Sequence, residues 1–290
     1  MNTSTIKEGG KGEEKCFTHI DLFSGIGGFS LAAQWVGFKT IAFCEINPYC
    51  QVLLSKRFNA KILTNTTWKG LDRQSSTPKR FTQLYNQPII IPDIRQFPGR
   101  AFAGATVFTG GFPCQPFSVA GKRLGKADER YLWEEMFRVI KEARPSWIIG
   151  ENVTGIISMA LDEVISDLES EDYSVQTFII PACAVNTPHR RDRVWILAYD
   201  LSKNTKIENI SIPEIKIKSP NWNQNWTEVA TRLCGVDDGL PTRVDGFELS
   251  KARHRMERIK ALGEAIVPQV AYVFFMIIKF LEEEVCKNGN

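Results

Sequence analysis

The amino-acid sequence predicts an α/β fold with a mostly parallel, doubly wound sheet and a small additional lobe. Apolar, strand-like runs alternate with segments of helical periodicity along most of the 290 residues. Polar and charged side chains repeatedly follow the ends of the apolar runs. Alternating strands and helices are typical of parallel sheets, whose ligands bind beyond the carboxyl ends of the strands. The polar residues that follow the strands are therefore the candidates for a functional site.

The first two strand and helix units carry the clearest signals. Residues 18–23 predict a strand that passes through a glycine-rich turn into a helix. Residues 40–44 predict the second strand. Asn47 and Pro48 then offer an N-cap and a first-turn proline for a helix that runs to about Phe58. Two such units in succession predict neighbouring parallel strands.

The rest of the chain continues this alternation with one interruption. Residues 59–87 lack a sustained period, which predicts a long surface insertion. Residues 265–281 are the most apolar stretch, but Pro268 and Lys279 interrupt it, which favours a buried helix over a membrane span. Further strands are predicted at 89–94, 106–109, 147–149, 173–180 and 194–198, and further helices at 128–143 and 155–168.

Composition and charge exclude several classes of protein. Hydrophobic residues at 43% and charged residues at 24% are close to globular averages, which excludes disordered and coiled-coil chains. The formal net charge of +3 is too small for nucleic-acid binding by bulk attraction, so any such contact must be local. Seven cysteines without a C-x-x-C pair argue against a disulfide framework or a zinc site. We therefore expect no metal and a reducing, cytoplasmic compartment.

A glycine-rich turn and two carboxylates at strand ends predict a cofactor that contains adenosine. Glycines at 25, 27 and 28 allow the backbone to approach a ligand closely. Glu45 could accept hydrogen bonds from ribose hydroxyls, and Asp93 from an adenine amino group. Helix capping would explain either carboxylate alone, so their order along the chain is the stronger signal. These residues leave NAD and S-adenosylmethionine both open.

Cys114 is the candidate nucleophile. It follows a buried strand and two glycines, and prolines flank the Cys-Gln pair at 113 and 116, which stiffens the turn. No packing requirement explains a thiol at such a turn. By contrast, Cys44 beside Phe43 and Cys183 between alanines are typical of small core residues.

Five motifs in a fixed order resemble those of the DNA cytosine-C5 methyltransferases of the bacterial and phage type. The cofactor loop is DLFSGIGG at 21–28, and the nucleophile loop is GFPCQPFS at 111–118. The base-clamping motif is ENV at 151–153, and the arginine motif is RRDRVWI at 190–196. The segment ALGEAIVP at 261–268, here called the closing segment, resembles the part of the family that returns to the cofactor site.

The resemblance implies a Rossmann-like methyltransferase fold and a covalent mechanism with S-adenosylmethionine as cofactor. A Cys114 thiolate adds to C6 of cytosine and makes C5 electron-rich, which splits one difficult step into two. Glu151 stabilises the charge that develops at N3, and Arg193, with Arg191 beside it on one strand face, points toward O2. The catalytic residues so implied are Cys114, Glu151, Arg191 and Arg193. The cofactor-binding residues so implied are Phe23, Ser24, Gly25, Gly27, Gly28, Glu45, Asp93, Pro113, Glu264 and Ala265.

The resemblance also implies how the chain is divided and what it binds. Residues 16–199 and 255–286 form the catalytic domain after a flexible tail at 1–15, and 200–254 form a small target-recognition region. Double-stranded DNA is the implied partner, with the target cytosine flipped out of the duplex under a mobile cover at 118–126. A restriction-modification system would add a cognate restriction endonuclease. We expect a monomer with no membrane association.

Two departures from the family pattern bear on activity. His189 stands where the family usually has glutamine. Glu264 stands where the family usually has asparagine, which places a carboxylate near the expected methionine end of the cofactor. Repulsion between this carboxylate and that of the cofactor would weaken binding unless a neighbouring cation compensates.

Three alternatives remain open from sequence. A tRNA cytosine-C5 methyltransferase would share the catalytic motifs, although the separate lobe after Arg193 favours DNA. A catalytically impaired DNA-binding relative is suggested by the two departures. A nicotinamide oxidoreductase would share the glycine-rich turn but gives the Pro-Cys-Gln turn no role.

Overall fold

The chain forms an eight-stranded α/β sheet in a computed structural model. The structure describes residues 16–63, 86–113, 132–185, 187, 190–203, 243–244, 247–248, 256–257, 260–261 and 263–287. The strands of the large sheet are β1 (Thr18–Leu22), β2 (Lys39–Cys44), β3 (Lys61–Ile62), β4 (Ile89–Ile91), β5 (Val107–Gly110), β6 (Trp147–Val153), β7 (Tyr173–Pro181) and β8 (Asp192–Asp200). The helices are α1 (Gly28–Val36), α2 (Pro48–Phe58), α3 (Trp133–Ala143), α4 (Leu161–Ser170) and α5 (Pro268–Lys287). Strands β9 (Arg243–Val244) and β10 (Phe247–Glu248) pair as a small antiparallel sheet.

The strand order places a crevice at the middle of the sheet. The order is β3-β4-β2-β1-β5-β6-β8-β7, and the first six strands are parallel. Strand β1 lies between β2 and β5, so the chain winds in one direction after β1 and in the other after β4. At such a switch point, the loops after adjacent strands leave the sheet on opposite sides and open a ligand crevice. The predicted doubly wound fold is confirmed.

Helices cover both faces of the sheet. Alternate residues of a strand point to opposite faces. Accordingly, Phe108 packs with α3 and α4 in one apolar cluster, and Val107 packs with α1 and α5 in another. Helix α5 buries Phe275 and Ile278 completely, which confirms the buried helix predicted from the apolar C-terminal stretch. No helix in the described part of the chain has the length and apolar character needed to cross a membrane.

Strand β8 runs against the other seven strands of the sheet, which the sequence alternation did not reveal. Strand β8 is antiparallel to β6, and β7 is antiparallel to β8. Only a short 3-10 turn, Ala182–Val185, is described between β7 and β8. A parallel connection needs a crossover, usually a helix, so this short link returns the chain antiparallel.

Four further predictions from sequence were wrong in detail. The helix expected at 155–168 is a 3-10 turn, Thr154–Ser158, followed by α4, because the amides of Met159 and Ala160 both bond to the carbonyl of Ile156. Strand β6 continues through Glu151 because it pairs with β8 as far as Val153. The expected insertion at 59–87 contributes β3 to the sheet edge before its described part stops at residue 63. Cys183 is exposed, not buried, because it lies in the turn after β7.

Several predicted segments lie outside the described residues. These are the tail at 1–15, the rest of the insertion at 64–85, residues 114–131 with the nucleophile and its cover, His189, and nearly all of the recognition region. The division of the chain into these regions stays a prediction.

Candidate active site

The turn after β1 forms the floor of the crevice. Phe23, Gly25 and Gly27 all have positive φ angles, of 54°, 53° and 82°. Ser24 fixes the turn, since its hydroxyl donates to the carbonyls of Asp21 at 2.6 Å and Cys44 at 3.2 Å. A Cβ built on Gly25 would have nothing within 4 Å, so the backbone there faces open space. Phe23, Ser24, Gly25 and Gly27 thus lie together as the sequence predicted.

Glu45 joins the end of β2 to this turn. One carboxylate oxygen accepts a hydrogen bond from the Gly25 amide at 2.6 Å, and the other from the Asn47 amide at 2.7 Å. Burial raises the pKa of Glu45, the two backbone bonds oppose that shift, and the charge of Glu264 adds to it. Ile46, the next residue, is 66% exposed and offers an apolar surface beside the carboxylate. Sequence reasoning missed Ile46 because a lone exposed isoleucine carries no pattern.

Asp93 follows β4 and caps the 3-10 turn Ile94–Gln96. Its carboxylate accepts a hydrogen bond from the Arg95 amide at 3.0 Å. This is the capping role that the sequence left open beside a contact with adenine. Strand β4 is the neighbour of β2, so Asp93 and Glu45 follow adjacent parallel strands.

The closing segment packs against the cofactor loop. A Cβ on Gly28 would lie only 2.6 Å from Cγ1 of Ile266, so the absence of a side chain at Gly28 permits this approach. Glu264 is exposed, and its charge acts on Glu45. The resemblance implies that the Glu264 carboxylate lies at the methionine end of the cofactor, and this stays a prediction. Ala265, which lies between Glu264 and Ile266 in the chain, is half-buried.

Glu151 and Arg193 form an ion pair on neighbouring antiparallel strands. Nε of Arg193 lies 3.0 Å from Oε1 of Glu151, and the two side chains are 22% and 10% exposed. Oε2 of Glu151 lies 3.5 Å from the position of a Cβ on Gly111, so the carboxylate faces the start of the nucleophile loop. Burial raises the pKa of Glu151 to about 6, although the charges of Arg193 and Arg191 lower it. The group therefore exchanges a proton near neutrality.

Asn152 fixes the start of the nucleophile loop, a role that sequence reasoning missed. Its side-chain amide donates to the carbonyl of Phe112 at 3.0 Å, and the residue is 5% exposed. Phe112 is followed by Pro113, the last described residue before Cys114. Cys114 itself lies outside the described residues. The ENV motif pointed to Asn152 only as part of a pattern, because the contact joins residues 40 positions apart.

The sequence predicted that Arg191 and Arg193 share one face of a strand, and this prediction was wrong. Strand β8 begins at Asp192, and Arg191 precedes it with a φ angle of 37°. The Nη2 group of Arg191 donates to the carbonyls of Gly263 at 2.9 Å and Ala265 at 2.8 Å. The alternation rule fails here because it applies only to extended backbone.

A buried polar network under the site also escaped sequence reasoning. The Asp21 carboxylate accepts hydrogen bonds from the Ser30 hydroxyl at 2.6 Å and the Thr109 hydroxyl at 3.2 Å. His19 contacts Thr109 and Thr40, each at 2.8 Å. Burial raises the pKa of Asp21 to about 7 and lowers that of His19 to about 3. The network joins β1, β2, β5 and α1 directly beneath the cofactor loop.

Comparisons with known proteins show which family this chain resembles. A family model described as C-5 cytosine-specific DNA methylase matches residues 17–79 and 71–233. Type II methyltransferase M.NgoMIV of Neisseria gonorrhoeae is 35% identical over 142 residues, which are 49% of this chain and 37% of that protein. Type II methyltransferase M.PspPI of a Psychrobacter species is 30% identical over 204 residues, or 68% of this chain and 43% of that protein. The chain thus spans less than half the length of these two relatives.

One solved structure supports the fold. The S. pombe Dnmt2 methyltransferase aligns with a TM-score of 0.51 and 16% sequence identity. The alignment covers 91% of this chain and 99% of that one. At this level of identity, the likeness shows the fold alone.

Proposed function

The chain belongs to the C-5 cytosine-specific DNA methylase family, and we propose that it transfers a methyl group from S-adenosylmethionine to C5 of cytosine in DNA. The observation that carries the proposal is the buried Glu151–Arg193 ion pair, which faces Gly111 at the start of the nucleophile loop. The family description specifies DNA, so the RNA alternative is not favoured, and a nicotinamide cofactor has no support.

The crevice fits S-adenosylmethionine by the chemistry of its groups. The open backbone at Gly25 leaves room for the ligand, and the turn leads into the positive N-terminus of α1. Each Glu45 oxygen keeps a lone pair for a ribose hydroxyl after its backbone bond. Ile46 would pack against the adenine ring, and Asp93 would accept from its amino group. The bound cofactor would supply an electrophilic methyl group.

We propose that Cys114 and Glu151 activate the base together. The Cys114 thiolate forms a bond to C6, and the electron pair of the C5–C6 double bond moves toward N3. Protonated Glu151 donates its proton to N3, which neutralises the developing charge. Arg193 donates to O2 and holds the Glu151 carboxylate in register. C5 then carries the electron density that it lacks in free cytosine.

The ring returns to aromaticity after the methyl group is transferred. The bound cofactor would supply the methyl group to C5, and the bond between that methyl carbon and the cofactor's sulfur would break. A base then takes the C5 proton, the C5–C6 double bond forms again, and the Cys114 thiolate departs. Glu151 recovers the proton from N3. Every group of the chain is thereby restored for the next cycle.

Other parts of the proposal concern partners. We propose duplex DNA with a flipped-out cytosine as substrate, with residues 200–254 as the reader of the target sequence. A cognate restriction endonuclease, a monomeric state and a cytoplasmic location belong to the same proposal.

Methyl transfer to defined nucleic acids tests the proposal. The protein is incubated with tritiated S-adenosylmethionine and with duplex DNA of diverse sequence or structured RNA, and the products are digested and analysed by mass spectrometry. We expect 5-methyldeoxycytidine from DNA, and none with Cys114→Ser. Methylation confined to RNA, or an active Cys114→Ser protein, would refute the assignment.

A further inference from the structure

Arg191 lies between the two halves of the proposed site. Its guanidinium holds the carbonyls of Gly263 and Ala265, which flank Glu264 in the closing segment. Its charge lowers the pKa of Glu151 on the other side. No hydrogen bond in the described part of the structure joins Arg191 to Glu151. This side chain therefore makes its hydrogen bonds to the cofactor side of the site.

The closing segment, which Arg191 holds by its two hydrogen bonds, forms one wall of the crevice. Ile266 packs directly on Gly28 at the start of α1, and Glu264 acts electrostatically on Glu45. Both contacts reach residues that the cofactor proposal uses. A shift of the closing segment would therefore change the width of the crevice and the charge beside the ribose site.

The backbone at Arg191 is anchored to the base side of the site. The amide of Ala182 donates to the carbonyls of Arg190 at 2.7 Å and Arg191 at 3.3 Å. Asp192 then begins β8, where Arg193 meets Glu151. Only two positions along the chain therefore separate the contact of Arg191 with the closing segment from the contact of Arg193 with Glu151.

Two unfavourable features show that the position of Arg191 is imposed by its surroundings. Its φ angle of 37° is in the left-handed region, where a side chain is strained. Its Nε is buried without a hydrogen-bond partner among the residues that the structure describes. Such features persist only where neighbouring contacts fix the residue, and the two carbonyl bonds are the contacts that do so.

We propose that Arg191 is a positioning residue that fastens the closing segment, so that binding of the cofactor and binding of the cytosine strengthen each other. The inference rests on the proposed function, because it concerns the cofactor and base of that same reaction. It assigns Arg191 to the cofactor side, in place of the catalytic role beside Arg193 that the resemblance implied. Coupling of this kind is reciprocal between the two ligands.

Calorimetric titration with S-adenosylhomocysteine in the absence of DNA tests the first half of the proposal. We expect Arg191→Met to weaken binding about tenfold or more, since two charge-assisted hydrogen bonds to the wall are lost. Arg191→Lys keeps one donor group and should stay within about threefold of the wild type. The matched control is Arg190→Met, because Arg190 is 83% exposed and pairs only with neighbouring Asp192 among the described ion pairs. Unchanged affinity in Arg191→Met overturns the proposal.

Single-turnover methylation at low and at saturating S-adenosylmethionine tests the second half. A positioning residue for the cofactor is rescued by excess cofactor, so the Arg191→Met rate should return to within about threefold of the wild type. The titration repeated with cytosine-containing DNA should show a gain in affinity for S-adenosylhomocysteine of about tenfold in the wild type and almost none in the variant. A rate that stays low at saturation assigns Arg191 to the base and overturns the proposal. If Arg191→Met does not fold, Arg191→Gln takes its place in the same comparisons, and Arg191→Lys remains the conservative variant.

Failure of the proposed function gives a different result. A wild-type protein that does not bind S-adenosylhomocysteine refutes the cofactor assignment itself, whatever the variants do. A wild type that binds it, with an Arg191→Met variant of equal affinity, leaves the function standing and refutes only the role of Arg191.

Discussion

Glu151 owes its protonation to a balance between burial and two arginines. Burial raises its pKa to about 6, and the charges of Arg193 and Arg191 limit the shift. A carboxyl group that must donate a proton near neutral pH needs such a shift, since an ordinary Glu has a pKa of about 4.3. The same ion pair holds the side chain toward Gly111. The contact with Arg193 thus fixes the direction of the carboxyl group and limits the rise in its pKa that burial causes.

The pH dependence of kcat/KM for DNA tests the role of Glu151. The active form needs protonated Glu151, with a pKa of about 6, and a Cys114 thiolate. Above a pH of about 6, and as long as most of the thiol is protonated, the gain in thiolate cancels the loss of protonated Glu151, so wild-type kcat/KM should be flat. Glu151→Gln keeps an N–H donor at all pH values, so its lower kcat/KM should rise about tenfold per pH unit over the same range. A flat pH profile in the Glu151→Gln variant would show that a group other than Glu151 cancels the gain in thiolate.

Glycines at the start of α1 show how an element is fitted to the site. Gly27 has a φ angle of 82° and packs against Phe58 and Leu54 of α2, and Gly28 packs against Ile266 of the closing segment. The first two helices and the closing segment therefore meet at two positions where no side chain fits. Fixing the loop in this way orders the backbone beside the crevice before a ligand binds.

Gly28→Ala should push the closing segment away from the cofactor loop. Its Cβ would lie 2.6 Å from Cγ1 of Ile266, closer than carbon atoms approach without displacement. Calorimetry with S-adenosylhomocysteine should show about tenfold weaker binding, and unfolding should cost about 1–3 kcal/mol less than in the wild type. The double variant Gly28→Ala/Ile266→Ala should bind more tightly than Gly28→Ala alone. Strictly additive effects of the two substitutions would contradict the contact.

Local sequence signals predicted an element well where the residues that determine it all lie within that element or next to it. Asn47 and Pro48 predicted the start of α2, and Asn47 does accept the hydrogen bond from the Tyr49 amide. The direction of β8 was not predictable, because strand periodicity is the same in parallel and antiparallel sheets. The break at Met159 was missed because a 3-10 turn and a helix share similar apolar spacing.

The site was predictable to the extent that its residues follow strands. Glu45 and Asp93 follow strands, Glu151 lies within β6, and the structure places Glu45 against the turn after β1 and Glu151 against Arg193. The partners of Arg191, Asn152 and Asp21 could not be read from the sequence, since each contact depends on the tertiary fold.

At the scale of the whole molecule, the site is built over a buried polar network. His19, Asp21 and Thr109 are fully buried, and their hydrogen bonds, with that between His19 and Thr40, join the central strands β1, β2 and β5. Burial keeps Asp21 protonated and His19 neutral over a wide pH range. The free energy of unfolding must therefore respond to pH through both groups, with opposite signs.

Substitution of Asp21 by asparagine separates the two contributions. The pKa of Asp21 is raised from 3.8 to about 7 on folding, so its stabilising proton is fully present below pH 3.8 and lost as pH rises through 7. The cost of Asp21→Asn should thus shrink by about 1.4 kcal/mol per pH unit between pH 4 and 7. Urea unfolding of both proteins at several pH values measures this difference, in which His19 and the other groups cancel. A cost that does not change with pH would contradict the buried, protonated state.

The covalent mechanism is the central claim, and trapping tests it most directly. Duplex DNA with 5-fluorocytosine blocks the last step, because fluorine at C5 cannot leave as a proton. With S-adenosylmethionine present, we predict an adduct between protein and DNA that survives denaturation and maps to Cys114 by peptide mass spectrometry. The Cys114→Ser protein should form none. An adduct at another residue, or none from a wild type that binds cofactor and DNA, would contradict the account.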